Sequence, residues 1–243
     1  MASDYREIDP PPALRPYVRT LWVHRLDGPR PENGDRVLPD GRVDLVWHRL
    51  AGAQIAGPQT RWFHPPVAPK LLVYGARFDP GIAPAMLRAP ASELADQHIA
   101  LDGVDGRLAA TLNDRLGDAP DDETALAALS DELLRRIRRA PEPDPAVAEA
   151  VRMLDRERAS VADVAARTFV SERQLQRRFA DHVGYSPKTL QRVLRFQRFL
   201  KVVDRFDLAG AAAVAGYSDQ SHLTREARAL AGLTPSRLRG WDH

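Results

Sequence analysis

The last hundred residues contain one segment twice, and nothing else in the chain restricts its fold as tightly. With Val161 onward laid against Leu208 onward, Ala165 falls on Ala212, Phe169 on Gly216, Val170 on Tyr217 and Ser171 on Ser218, all 47 positions apart. One residue is then inserted, and the match resumes at 48: Leu175-Gln176-Arg177-Arg178-Phe179 over Leu223-Thr224-Arg225-Glu226-Ala227, Gly184 over Gly232, and Ser186-Pro187 over Thr234-Pro235. The repeated unit reads as helix, tight turn, helix. A small residue (Ala165, Ala212) lets the two helices cross closely, the turn needs a residue that accepts positive φ, and a serine (Ser171, Ser218) caps the second helix. Gly216 meets the turn requirement. Phe169 does not, so the first turn is expected to differ in shape from the second. Val164, Leu175 and Phe179 would close the first small core, whereas Ala227 in the place of Phe179 leaves the second emptier.

Start signals surround these units. Asp144-Pro145, Ser186-Pro187 and Thr234-Pro235 each set a capping residue before a proline at the first helical position, and Ser160-Val161-Ala162-Asp163 and Ser171-Glu172-Arg173-Gln174 read as capping boxes. From Pro187 to about Asp204 the pattern predicts one longer helix, with Leu190, Leu194 and Leu200 inward and Arg192, Arg195, Arg198 and Lys201 outward. At 1.5 Å per residue it would span ~27 Å, against ~34 Å between successive major grooves on one face of duplex DNA.

Ahead of the proline-rich stretch Ala140-Pro141-Glu142-Pro143-Asp144-Pro145 the texture differs. Tyr17 to His24, Arg42 to His48 and Lys70 to Ala76 alternate apolar and polar residues as strands do, and Leu38-Pro39-Asp40-Gly41 is a turn signal before the second. Helical candidates follow at Pro90 to Asp96 and Val104 to Leu116. The clearest is Asp122 to Arg139, where Leu126, Leu129, Leu133 and Ile137 form a stripe that must be covered by its own domain or by a second subunit. The expected class is therefore α+β in two domains. Residues 1–140 form a mostly antiparallel sheet or barrel with trailing helices, and residues 141–243 an all-α domain with two helix-turn-helix units joined by a long helix.

Charge divides along the same line. From residue 146 onward 17 Lys and Arg face 11 Asp and Glu, a net +6, whereas the remainder holds 18 against 22, a net −4. A basic helical domain suits a polyanion, and an acidic neighbour argues against an architectural protein that coats nucleic acid with its whole surface. The absence of cysteine excludes thiol nucleophiles, disulfides and thiolate zinc sites, and with them repair by methyl transfer to the protein. No apolar run is long enough to cross a membrane and the N-terminus carries no leader pattern, so a cytoplasmic protein without membrane contact is expected.

On the second helix of each unit, one exposed side carries the groups that base readout requires: Arg173, Gln176 and Arg177 in the first, Gln220, Ser221, Thr224 and Arg225 in the second. Arginine can grip guanine O6 and N7 with two bonds, and glutamine can do the same with adenine. The run Ala213-Val214-Ala215-Gly216-Tyr217-Ser218-Asp219-Gln220-Ser221-His222-Leu223-Thr224-Arg225, followed by Gly232-Leu233-Thr234-Pro235-Ser236, resembles the hallmark of the AraC/XylS family of bacterial transcriptional regulators. The resemblance covers residues 146 to about 240. It implies a sequence-specific regulator that binds double-stranded promoter DNA through Arg173, Gln176 and Arg177 and through Gln220, Ser221 and Arg225, with RNA polymerase as a further partner and no enzymatic activity. The family usually has an aromatic residue where Ala227 stands.

Less specifically, Val37 to Val46 and Gly75 to Gly81 resemble the effector domains that precede such DNA-binding domains, which sense a small molecule or mediate homodimerisation. Trp22, Trp47, Trp62, Phe63 and Tyr74 offer aromatic walls, with Arg42, Asp44 and Arg77 to orient a polar ligand, and of these Trp22, Arg42, Asp44, Trp47, Tyr74 and Arg77 are the ligand candidates. Seven histidines, His24, His48 and His64 among them, lack tight metal-ligand spacing. No cofactor or metal is expected. The competing reading is a barrel-domain enzyme or metal-binding sensor that carries a DNA-binding appendage.

Overall fold

The computed structural model describes residues 3–26, 36–65, 71–157 and 159–241. Lys70, the first residue of the third expected strand, lies outside them. The N-terminal region is built on a six-stranded, wholly antiparallel sheet in the order β1-β2-β5-β3-β4-β6. Its strands are β1 (Ser3–Ile8), β2 (Thr20–Leu26), β3 (Val43–His48), β4 (Gly52–Ala56), β5 (Leu71–Phe78) and β6 (His98–Ala100). Three correspond to the expected alternations; β1, β4 and β6 were not anticipated. Tyr17 and Val18 fall short of β2, because the segment after Pro10 folds into tight turns in which the N–H groups of Leu14, Tyr17 and Val18 bond carbonyls three or four residues back.

Alternation sorts the sheet's side chains cleanly. Cross-strand partners share a face, so Val23, Tyr74, Trp47 and Ala53 form one row and Leu21, Ala76, Leu45 and Ile55 the next, all buried. This face is covered by an antiparallel pair, α3 (Asp102–Gly117) and α4 (Asp122–Ile137). Asp121 caps α4 by accepting from the Thr124 N–H at 2.8 Å. The adjacent Asp122 ties the helix to the sheet: it accepts from Arg25, from Arg6 Nη2 at 2.6 Å and from the Tyr74 hydroxyl at 2.8 Å. Leu129 and Leu133 of the apolar stripe are buried in this domain's own core, with Leu126 and Ile137 packed at its margin. The stripe is covered within its own chain.

Two short helices, α1 (Ala83–Leu87) and α2 (Ala91–Leu94), connect β5 to β6. After the proline-rich stretch the chain is helical: α5 (Pro145–Arg152), which runs into a π turn at Met153–Glu157, α6 (Val161–Arg167), α7 (Glu172–Val183), α8 (Pro187–Val202), α9 (Leu208–Ala215), α10 (Gln220–Ala231) and a closing 3-10 turn at Pro235–Leu238. Four of the expected starts carry their caps: Asp144 for α5, Ser160 for α6, Ser171 for α7 and Ser186 for α8. Thr234 is the exception, since no side-chain cap bond forms ahead of the 3-10 turn.

The two helical units each have a core. Val147, Ala150, Met153, Leu154, Val164, Leu175, Phe179 and Val183 form the first, and Val193, Phe196, Phe199, Leu200, Ala212, Tyr217, Leu223, Ala227 and Leu238 the second. Ala227 is fully buried in a cluster that Phe196 and Phe199 of α8 fill, their rings stacked with centroids 6.3 Å apart. Bulk missing from the second helix of the unit is supplied by the helix that precedes it. The arginines of α8 are also less free than their spacing suggested: Arg192 pairs with Glu226, Arg195 lies over the Tyr217 ring, and Arg198 donates to the carbonyls of Ala215 and Asp155.

Candidate nucleic-acid interface and effector face

Each reading helix is held from beneath and at its start, which leaves one side free. Under α7 lie Leu175, Phe179 and Val183, spaced so that they occupy one face. At its start the Ser171 hydroxyl accepts from the Gln174 N–H at 3.2 Å while the Gln174 side chain accepts from the Ser171 N–H at 2.9 Å, so two orphan donors of the first turn are satisfied reciprocally. Arg173, Gln176 and Arg177 project to solvent; with Ser171 and Gln174, the two arginines line a shallow depression of about 260 Å³.

In the second unit the cap is Asp219 rather than Ser218. Asp219 accepts from the His222 N–H at 2.7 Å, a bond that holds its carboxyl below the usual carboxylate range, while the Ser218 hydroxyl sits 3.1 Å from His222 Nδ1. The residue inserted between the repeats moves the cap by one position. Gln220, Ser221 and Arg225 are exposed, whereas Thr224 is half-buried and donates its hydroxyl to the Gln220 carbonyl at 2.8 Å. Among the described residues, Arg173, Arg177 and Arg225 form no ion pair.

The two turns have the same hand, contrary to expectation. Gly216 takes φ 92° and Phe169, at the equivalent position, φ 54°. Left-handed backbone costs a residue with a Cβ roughly 1–2 kcal/mol, and Phe169 bears it while 95% exposed, with no buried contact to offset it. The fold imposes the turn and the side chain is carried along.

One ion pair per unit fixes its reading helix from the flank. Arg178 Nη1 lies 2.9 Å from Asp144 Oδ2, the carboxylate that also caps α5. Glu226, 48 positions after Arg178, accepts from Arg192 Nε and Nη2 at 2.9 to 3.2 Å. Equivalent positions thus carry opposite charges, each answered by the helix that precedes its unit.

On the sheet, the face away from α3 and α4 brings together three of the six ligand candidates. Trp22 lies flat across Gly75, where a Cβ would come within 2.2 Å of the indole. Its Nε1 donates to Asp44 Oδ1 at 3.1 Å, and Arg77 Nε donates to the same oxygen at 3.0 Å. Burial pushes the Asp44 carboxyl up, and Arg77 only partly reverses this. Glu7 extends the network, accepting from Arg77 at 3.3 Å and from the Tyr5 hydroxyl at 2.8 Å, and the Tyr5 ring stands 6.0 Å from Trp22 and edge-on to His24. Farther across the face, His48 and His98 are held below the ordinary histidine range by burial, with His98 adding repulsion at His48, and Phe63 packs on His98 at 4.2 Å. The other three candidates lie elsewhere. Trp47 and Tyr74 are stacked beneath the helices on the opposite face, and Arg42 bridges Asp40 and Asp79 beside the C-terminal domain. Tyr5, Glu7 and His98 escaped the sequence reading because β1 and β6 did; the alternation Tyr5-Arg6-Glu7-Ile8 was the available signal. Among the described residues no three His, Asp or Glu converge as a metal set.

The exposed, duplicated polar helix faces on capped, cored units coincide with a family match: residues 164–240 match a family described as a helix-turn-helix domain. The C-terminal domain is an AraC-type helix-turn-helix domain. It makes the chain a DNA-binding transcriptional regulator. Residues 6–100, the sheet that precedes the AraC-type domain, match a domain of unknown function, DUF6597. No curated protein matches the chain in sequence. Among solved structures, it is similar to ligand-free ToxT from Vibrio cholerae strain SCE256, at 10% identity over 92% of this chain and 97% of that one, with a TM-score of 0.46. ToxT from Vibrio cholerae O395 gives 11% identity over 90% and 98%, with a TM-score of 0.45, and ToxT from strain SCE256 with bound unsaturated fatty acid gives 9% over 89% and 93%, with a TM-score of 0.42. No helix among the described residues is long and apolar enough to cross a membrane.

Proposed function

We propose that the chain reads promoter DNA with both units, Arg173, Gln176 and Arg177 of α7 entering one major groove and Gln220, Ser221, Thr224 and Arg225 of α10 the next. The observation that carries this reading is the recurrence of an exposed arginine at the same position of both reading helices, Arg177 and Arg225, on backbones held by equivalent caps and ion pairs. The 16-residue α8 spans ~24 Å, stiff enough to keep the units apart on one face of a duplex. Residues 1–140 act as the sensing domain and 141–243 as the DNA-binding domain. A small molecule with an aromatic body and a polar end would meet Trp22, Asp44 and Arg77 on the sheet face turned away from α3 and α4. The protein acts in the cytoplasm by binding rather than catalysis, with RNA polymerase as its partner at the promoter. Because the α4 stripe is used inside its own domain, a homodimer would need a different surface.

The test is affinity for a duplex selected by the full chain. Arg177→Ala and Arg225→Ala should each weaken binding by about 1–3 kcal/mol and relax base preference at a few positions. Equal losses on selected and random duplexes would reduce these side chains to phosphate contacts. Screening small aromatic acids and amides by thermal shift, with Asp44→Asn as the control, tests the sensing face.

A further inference from the structure

One short segment of the sheet domain touches the far ends of both reading helices. Gly184 caps the C-terminus of α7, and a Cβ there would lie 2.8 Å from the Ala91 carbonyl oxygen and from Pro58. Gly232 caps the C-terminus of α10, and a Cβ there would lie 2.4 Å from Trp62 Nε1 and 2.9 Å from Arg36 Nη1. The last carbonyls of a helix have no partners within it. At α10 two of them are satisfied from the other domain: the Trp62 backbone N–H donates to the Leu230 carbonyl at 2.8 Å, and the Arg36 side chain donates through Nη1 to the Ala231 carbonyl at 2.7 Å. The Arg36 guanidinium also lies over the Trp62 ring, 4.0 Å from its centre, and a cation there complements the negative end of the helix dipole. Residues 58 and 62 are four apart on one strip of backbone that spans the two helix ends.

We infer that Arg36 and Trp62 are positioning residues for DNA reading: with Pro58 on the same strip, they hold the C-terminal ends of α7 and α10 at a set separation and so fix the spacing between the two base-reading faces. The strip grips the ends away from the capped starts, and Arg173, Gln176, Arg177, Gln220, Ser221 and Arg225 stay exposed while it is in place. It therefore acts on the geometry of the reader and not on access to it. The strip is joined to the sheet face turned away from α3 and α4 through Phe63, which follows Trp62, pairs with Val37 and packs on His98. The α8 helix contributes side chains to both unit cores, and the strip adds a second attachment at the far ends of the reading helices. A second brace at the far ends turns a hinge into a frame.

The inference rests on both helices reading DNA, and one experiment separates the two ideas. Full-length protein is used to select a duplex from random sequence, and the site is then rebuilt with one base pair added or removed between its two motifs. If the wild-type chain selects one motif only, two-helix reading fails. If it selects two, Arg36→Gln and, separately, Trp62→Ala should leave binding to the best spacing within about twofold while the preference over the altered spacings falls by about tenfold, the equivalent of roughly 1.4 kcal/mol. Arg36→Gln removes only the charged contact and guards against a folding defect in Trp62→Ala, and Arg36→Lys, which keeps the charge, should recover part of the preference. Parallel losses at every spacing, a parallel gain at every spacing, or an unchanged profile in both variants would each overturn the proposal. The first would mean plain structural damage, the second that the strip masks the reader.

Discussion

The first and second helix-turn-helix units share a backbone and disagree about how to fill it. In the first, the packing aromatic sits on the reading helix itself, as Phe179; in the second that position is Ala227, and Phe196 and Phe199 arrive from α8. The first turn is made by a strained, exposed Phe169 and the second by Gly216. The flanking ion pair has its cation on the reading helix in one unit and on the preceding helix in the other. Duplication has preserved positions and burial but not the residues that supply them. The frame of such a unit is set by where small, capping and apolar groups must be, and several side-chain sets satisfy it.

That comparison can be broken most directly at its cores. Phe179→Ala should destabilise the first unit by about 3–5 kcal/mol, since the aromatic there is fully buried. Hydrogen exchange should show α6 and α7 losing protection while α9 and α10 keep theirs. If the second core is as full as the first, Ala227→Phe should not repair anything but overpack it, costing about 1–3 kcal/mol; a gain in the melting temperature would reveal a space at Ala227 after all. At the turns the smaller contrast runs the other way. Phe169→Gly should raise stability by about 1 kcal/mol by removing left-handed strain from a side chain that packs on nothing, a difference readable as a shift in denaturant midpoint with unchanged slope.

Acid probes the sheet domain through two of its histidines. Burial depresses both His48 and His98 in the sheet domain, so their contribution to stability is present above the unfolded histidine value of 6.5 and is lost as pH falls through their lowered folded values. As pH falls below about 6.5 the sheet domain should lose protection before either helical unit, and His98→Gln should blunt that loss; simultaneous weakening of all three regions would remove the distinction.

The helical half was legible because its signals are local. A cap, a proline after it and an apolar residue every three or four positions lie within one turn of one another, so Ser160, Ser171 and Ser186 announced their helices correctly. The error there came from a single inserted residue, which shifted the cap from Ser218 to Asp219. The sheet half was only half legible. Strands β1, β4 and β6 are short or lie at or near an edge, and they are strands because partners far along the chain offer them hydrogen bonds. Of the ligand candidates, Trp22, Asp44 and Arg77 converge because their strand positions have the same parity, whereas Trp47 and Tyr74 have the opposite one and face the helices. The roles of Arg36 and Trp62 had no local signal at all, since both act on helix ends nearly 170 or more residues away.

The strand order carries a consequence for how the molecule is assembled in time. Strand β5 lies between β2 and β3, so Thr20 must find Arg77 and Val43 must find Phe78 before the sheet exists. Sheets that depend on such distant pairings form in milliseconds to seconds, while helical bundles rich in local contacts form in microseconds to milliseconds. On that ordering both reading helices would be complete while the strip carrying Trp62 still had no sheet beneath it, and the reader would be whole before its two halves had been set to a common scale.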